Sequence, residues 1–281
     1  MLQINWKLKA FLYKLFGLMR LKSTYYFLQK HITKRSGVNI GDLDKLWVHH
    51  ADSIEENGIK SLLEIGAGKD LGQNIYISYR FNNSITQTAI DINNMIDFEL
   101  INKASEQIAN LLKLDKKKDK VTNLEQLKNL YNINYLAPYG LKKFKNSNVE
   151  FEMCISTTAL EHFTYLEIVE YLQDLKKILK EDGLISSVID YSDHYSHTDK
   201  NISSLNYLTY SNEEWEKYNN SYLFQNRLRH QDYKKIFETN GYKIKKTFLG
   251  NSIEPPLNIS YEFDINNKET FIGWAYFLIS K

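Results

Sequence analysis

Lys60–Gly72 reads K-S-L-L-E-I-G-A-G-K-D-L-G and constrains the chain more than any other stretch. The apolar run Leu62–Ile65 stops abruptly at Gly66 and Gly68, the pattern of a buried strand entering a tight turn where backbone comes close to a ligand. A helix-length segment follows, then a second apolar run ending in Ala89, Ile90 and Asp91. Strand, glycine turn, helix, strand and terminal carboxylate make one half of a nucleotide-binding α/β unit, with the carboxylate placed to bond ribose hydroxyls.

The alternation continues downstream. Met95–Leu114 is expected to be helical, D-K-K-K-D-K a solvated turn, and Ile133–Leu136 a third strand ending at Ala137, Pro138 and Tyr139. Phe151–Ser156 reads as the fourth strand. Tyr165–Lys180 reads as a helix with Ile168, Leu172, Leu175 and Leu179 on one face, closed by Gly183 in a left-handed conformation. Leu184–Ile189 is the fifth strand, Asp232–Asn240 a helix capped by Gly241, and Tyr242–Phe248 and Thr270–Ile279 the last two strands. Short apolar strands alternating with helices predict a mostly parallel sheet with right-handed crossovers. Ligands then belong at the C-terminal strand ends, here Gly66, Asp91, Ala137, Ser156 and Asp190.

E-I-G-A-G followed by A-I-D-I resembles the first two motifs of class I S-adenosylmethionine-dependent methyltransferases. S-T-T-A-L-E-H-F after the fourth strand adds to the resemblance, because many small-molecule methyltransferases carry Leu-Glu-His there. It runs from about Ser61 to the C-terminus. It implies an α/β, Rossmann-like, mostly parallel seven-stranded sheet with an antiparallel C-terminal edge pair, and S-adenosylmethionine as cofactor. The positions it assigns to the cofactor are Glu64, Gly66, Ala67, Gly68, Asp91, Ile92, Ala137 and Thr157, with Thr158 a further candidate contact and Tyr139 covering either the base or the sheet edge. One departure is Asp70, where many members have a third glycine. An anionic cap there suits a cofactor bringing an ammonium and a sulfonium better than one bringing phosphates.

Asp190–His230 resembles methyltransferases that accompany surface-polysaccharide biosynthesis. That implies a small polar acceptor, an oxygen of a sugar or of a phosphorylated sugar-nucleotide intermediate. Methylation of a phosphoryl or phosphoramidate oxygen or of an amine, and a noncatalytic binding subunit, are the alternatives. The segment opens with I-D-Y-S-D-H-Y-S-H-T-D, titratable residues without helical or strand period at a strand end. His194 is favoured as the base that takes an acceptor proton, then His197, then His162 across the cleft. Asp193 is taken as a substrate contact. Asp193, His194, His197 and Asp199 could also ligate a metal, but spacing so short on a loop fixes no geometry, and no metal is assigned. In Q-N-R-L-R-H, Arg227 and Arg229 would share a face if extended and clamp a phosphate or carboxylate.

Ahead of the domain, expected at 60–281 with its substrate-binding insertion around 190–230, residues 1–59 read as a helical cap. Trp6–Lys22 carries Leu8, Phe11, Leu12, Leu15, Phe16 and Met19 at helical spacing among Lys7, Lys9, Lys14 and Arg20, and no Asp or Glu precedes Asp42. Its apolar face is expected to pack on the domain, with peripheral contact to an anionic membrane as the other reading. Lys14 and Arg20 interrupt any signal-peptide core, and no stretch reaches membrane-spanning length. Asp42–Glu56 reads as a second helix carrying Trp47, His49 and His50. A net charge of +2 does not point to nucleic acid. The single cysteine, Cys154, excludes an intrachain disulfide, fits a reducing cytoplasm and reads as a buried strand residue.

Overall fold

The computed structural model describes residues 4–19, 40–41, 43–115, 117–220 and 222–281. Strands β1 (Ser61–Ile65), β2 (Thr86–Ile90), β3 (Ile133–Leu136), β4 (Phe151–Thr157), β5 (Leu179–Asp190), β6 (Lys243–Leu249) and β7 (Trp274–Ser280) lie in one sheet in the order β3-β2-β1-β4-β5-β7-β6. The first five are parallel, and β7 runs antiparallel to both β5 and β6. This is the Rossmann-like arrangement expected from the alternation, with its antiparallel edge.

Neighbouring side chains on a strand face opposite ways, and β1 uses both faces: Leu62 enters one core and Leu63 the other. Leu62's core is closed by α2 (Leu43–Glu56), α3 (Gly72–Arg80), α4 (Phe98–Leu111) and α5 (Leu124–Tyr131) through Trp47, Ile75, Ile101 and Leu127. Leu63's is closed by α6 (Tyr165–Ile178) and, after the short α7 (Asn212–Trp215), by α8 (His230–Thr239), through Ile168, Leu172 and Phe237. Each such side chain stabilises by about 1.5–3 kcal/mol on burial. Caps set the helix starts. Asp97 accepts from Glu99 N–H at 3.0 Å, which begins α4 at Phe98 rather than Met95, and Thr164 with Glu167 forms a capping box on α6.

Other boundaries differ for local reasons. Helix α6 stops at Ile178, and Gly183 does not take the left-handed conformation. Phe151 pairs with Leu179 and Met153 with Leu184, so residues 180–183 bulge out of a strand that has already begun. A Cβ on Gly183 would lie 2.8 Å from both Leu179 Cβ and Lys180 O, so crowding is what requires glycine there. At Gly241 the expected left-handed cap is present, with φ +76°. The last strand starts at Trp274 because Lys268–Phe271 forms a 3-10 turn first.

The N-terminal helix α1 (Trp6–Leu18) reverses the expected packing. Trp6, Lys9 and Ala10 are its buried residues, whereas Leu8, Phe11, Leu15 and Leu18 are exposed, Phe11 at 64%. Trp6 and Ala10 join Tyr195, Leu205, Tyr207, Leu208, Trp215 and Phe271 in a third core. Trp6 N–H donates to Asp199 Oδ2 at 2.9 Å, and Lys9 Nζ donates to Thr198 Oγ1 at 3.0 Å. The helix therefore belongs to the 190–218 segment and not to the sheet. Arg20 to Lys22, the end of the expected helix, lie outside the described residues. Among the described residues no helix is long and apolar enough to cross a membrane.

Candidate active site

A cleft of about 560 Å³ opens over the C-terminal ends of β1 to β4. Its floor is the glycine turn, where Gly66 and Gly68 both have positive φ, +77° and +75°. A Cβ on Gly66 would stand 3.3 Å from Ala159 Cβ, whereas Gly68 has open space above it, so backbone faces the cleft there. Asp91 lies on the adjoining strand end and its carboxylate accepts from Asn93 N–H at 2.9 Å. Burial raises the Asp91 pKa, while amide hydrogens of Asn93, Gly68 and Ile92 work the other way. Ile92, 76% exposed, and Tyr139 form part of the wall, together with Thr158, Ala159, His162 and Phe163 after β4. Thr158 has φ +49°, a strained conformation for a β-branched residue, held by its N–H to Val188 O at 2.9 Å.

Four of the expected cofactor positions thus line the cleft: Gly66, Gly68, Asp91 and Ile92. Ala67 is buried in the turn, and Ala137 packs partly buried against the α2–α5 core; neither lines the cleft. Thr157 turns beneath it, which corrects its placement among the contacts. Its hydroxyl bonds Gln73 Oε1 and lies 3.0 Å from His50 Nε2, leaving Thr158 as the residue at the surface. Gln73 Nε2 in turn donates to Glu64 Oε1 at 3.1 Å, and His50 Nδ1 lies 2.7 Å from Ser186 Oγ. Glu64, Gln73, Thr157, His50 and Ser186 therefore form one buried polar chain under the turn. Burial pushes the Glu64 carboxyl up to about 8 and holds His50 down at about 3. Glu64 Oε2 has no hydrogen-bond partner.

A second, smaller pocket of about 370 Å³ adjoins the cleft and shares His162 and Glu167 with it. Its other walls are Thr164, Glu216, Asn219, Asn220 and Phe224. Behind His162 lies the titratable cluster of the site. Glu161 is 1% exposed, and neither carboxylate oxygen has a hydrogen bond of acceptable geometry. Burial, helped by the charge of Asp190, raises its pKa well above the carboxylate range, although the nearby amides of Glu161 and Asp190 oppose this. His162 Nδ1 is 2.7 Å from Phe224 O, and its ring lies 5.0 Å from that of His194. A carbonyl only accepts, so Nδ1 carries the proton and Nε2 the lone pair. Packing around the ring lowers the His162 pKa against the pull of that carbonyl. His194 Nε2 is 3.2 Å from Asp190 Oδ2. Burial alone would raise the Asp190 carboxyl, but its bonds to His194 and to Ser192 carry it below its ordinary value.

This geometry reorders the expected bases. His162 lines both cavities, whereas His194 sits behind it and His197 is an exposed ring stacked on His194 at 5.1 Å. Asp193 is not a substrate contact: fully buried, it accepts from Tyr195 N–H at 2.8 Å and from Asn206 Nδ2 at 2.9 Å, and shapes the loop.

The arginine clamp is also corrected. Arg229, 4% exposed, donates to the carbonyls of Thr270, Tyr191 and Ile272 and to Tyr207 Oη. Arg227 donates to Tyr207 O at 2.9 Å, to Tyr210 O, and to Asn212 Oδ1, and pairs with Glu262 at 3.1 Å. A guanidinium has five N–H donors, and each arginine makes four hydrogen bonds to the chain's own oxygens, so both stitch the 190–212 segment to residues 262–272. Sequence reasoning missed Glu161 as part of the site. Glu161 stands in plain view in L-E-H, but that it is buried without a partner is visible only in three dimensions.

No family model matches the chain, and no curated protein matches it. Among solved structures it is similar to a provisionally assigned O-methyltransferase from Nostoc punctiforme PCC 73102, at 11% identity and a TM-score of 0.46 over 85% of this chain and 56% of that one. It is also similar to an S-adenosylmethionine-dependent methyltransferase from Clostridium acetobutylicum ATCC 824, at 12% identity and a TM-score of 0.46 over 92% of this chain and 98% of that one. A third is the CurJ carbon methyltransferase, at 12% identity and a TM-score of 0.44 over 79% of this chain and 48% of that one. The chain spans about half the length of the Nostoc and CurJ chains.

Proposed function

We propose that the protein transfers a methyl group from S-adenosylmethionine to a hydroxyl of a small, neutral, polar acceptor. The observation that carries this reading is the junction of two cavities at His162. One is the cleft over the glycine turn and Asp91; the other is a polar pocket whose walls, among the described residues, contain hydroxyl, amide and carboxylate groups but no Lys or Arg. The cleft has the size of a cofactor site; in this reading Asp91, which lines it, takes the ribose hydroxyls and the methyl faces the shared wall. In the transfer the carbon–sulfur bond breaks as the carbon–oxygen bond forms, and sulfur keeps the electron pair as a thioether. The acceptor proton passes to His162 Nε2, whose tautomer is set by the Phe224 carbonyl. Alignment of oxygen, methyl and sulfur at about 3–3.5 Å supplies much of the rate.

The pocket argues about the acceptor as well. With Arg227 and Arg229 spent on the chain's own oxygens, nothing cationic among the described residues lines it, so a phosphoryl or phosphoramidate oxygen lacks an anchor there. A sugar hydroxyl fits amide and carboxylate partners, and a glycosyl unit of the kind used to build surface polysaccharides is the substrate class this reading leads to. Any phosphate it carries stays outside the pocket. The carboxylates of Glu167 and Glu216 favour one second reading, a cationic amine acceptor. A cofactor made in the cytoplasm and the free, buried Cys154 are consistent with a cytoplasmic protein.

Titration calorimetry with S-adenosylmethionine tests the cofactor half. Asp91→Ala should weaken binding at least about tenfold, because charge-assisted bonds of about 1.5–3 kcal/mol are lost; unchanged affinity in a folded variant would refute the assignment. Production of S-adenosylhomocysteine with neutral sugars, amino sugars and sugar phosphates then separates the acceptors. Cofactor binding without turnover on any of them would point to a noncatalytic binding subunit.

A further inference from the structure

We propose that Glu161, His162 and His194 bind a first-row divalent transition ion, at the wall shared by the two cavities, and that this ion holds the acceptor oxygen. Its catalytic role rests on the methyltransferase reading; the metal site itself does not. One ligand atom from each of the three residues lies within 4.8 Å of the other two. Ligands at 2.0–2.2 Å from a common ion stand about 3–4 Å apart, so closing on a metal takes movements of roughly an ångström.

Two independent features point to a cation here. The first is Glu161, buried with both oxygens lacking a hydrogen bond, an arrangement that costs free energy unless a partner arrives. A cation is a partner that serves such a carboxylate directly. The second is that each imidazole already has one nitrogen engaged. His162 Nδ1 bonds the Phe224 carbonyl and His194 Nε2 bonds the Asp190 carboxylate, which leaves one lone-pair nitrogen on each ring. Metal-ligating histidines are oriented in this way by carbonyl and carboxylate partners.

Two imidazoles and a carboxylate suit Zn²⁺, Mn²⁺ or Fe²⁺ better than Ca²⁺ or Mg²⁺, and three protein ligands leave positions open for a substrate oxygen. The alternative ligands in the loop are committed elsewhere, Asp193 to Tyr195 N–H and Asn206 and Asp199 to Trp6 N–H. In the loaded enzyme the acceptor hydroxyl binds the ion, which eases loss of its proton to solvent water. The metal-held oxygen attacks the sulfonium methyl, the carbon–sulfur pair stays on sulfur, and the ion does not change oxidation state. With the ion bound, the His162 Nε2 lone pair is a ligand and the proton goes to solvent water; without the ion the same nitrogen is the base proposed above, so His162→Ala lowers turnover in both cases.

The test uses full-length protein stripped with a chelator and titrated with Zn²⁺ alone and with Co²⁺ alone. The expected results are uptake of one equivalent, a visible Co²⁺ absorption band of nitrogen coordination, and affinity lower by at least about tenfold in Glu161→Gln and in His162→Ala. His162 lies at the exposed rim, so its variant stays folded even if the Glu161 variant does not. Absence of stoichiometric uptake, or uptake unchanged in folded His162→Ala, would overturn the site. S-adenosylmethionine affinity measured on the same samples should not depend on the metal. A wild-type protein that takes up the ion but not the cofactor would sink the methyltransferase reading and leave the metal site standing.

Discussion

The two walls of the active-site region are built from different materials. The floor of the larger cleft, proposed here for the cofactor, is mostly backbone: two glycines in left-handed conformation and strand ends, with the Asp91 carboxylate beside them. The smaller pocket, proposed here for the acceptor, is made of side chains from segments far apart in the chain, beside α1 and residues 190–230, which pack into one aromatic core tied down by two arginines. A backbone site depends on local turn geometry and tolerates change around it. A side-chain site depends on a supporting network, and so its apparent functional residues can prove to be scaffolding.

The largest expected effect falls on the shared wall. His162→Ala should lower turnover by about a hundredfold to ten-thousandfold and leave S-adenosylmethionine affinity nearly intact, read from saturation kinetics beside calorimetry. A loss of cofactor affinity of the same size would erase the distinction between the walls.

Next in size is Arg229→Ala, which strips donors from three buried carbonyls and the Tyr207 hydroxyl. Its expected cost is about 3 kcal/mol or more in denaturant unfolding, as for other buried networks that lose a charged partner. Preserved stability with a raised Michaelis constant would return this arginine to the acceptor site.

A smaller effect concerns Glu64, whose folded-state pKa of about 8 lies above its unfolded value. A raised carboxyl binds its proton more tightly when folded, so its contribution to stability is complete below about pH 4.5 and is lost as pH rises through about 8. Relative to Glu64→Gln, the wild type should therefore lose a few kcal/mol at most across that window in thermal unfolding. A flat difference between the two proteins would show that Glu64 is ionised in the folded chain.

The smallest effect tests α1, whose exposed Leu8, Phe11, Leu15 and Leu18 share a helix with Lys7 and Lys14 and with no carboxylate. Such a surface should bind anionic vesicles, and Phe11→Glu should abolish sedimentation with them while moving stability by no more than about 0.5 kcal/mol. A marked loss of stability would mean that this face is packed in solution.

Local information carried the sheet and the glycine turn that floors the larger cleft. The strands, the turn at Gly66 and Gly68 and the carboxylate at Asp91 were all legible, because each is decided by residues within a few positions of one another. Which face of α1 would be buried was not legible. A helical stripe shows that a helix is amphipathic, but Trp6 found an aromatic core assembled from residues 195–271, and that partner outweighed the stripe. For the same reason Arg227 and Arg229 resembled a clamp in sequence and became struts in the fold, since burial gave their donors to the chain's own carbonyls, to the Tyr207 hydroxyl, to Asn212 and to Glu262. Glu161 is the sharpest case. The sequence determined that a glutamate adjoins a histidine after β4, but only tertiary packing removed that carboxylate from water, left it without a hydrogen-bond partner, and set His162 and His194 beside it. Desolvation and long-range juxtaposition depend on the whole chain, and no short stretch encodes them.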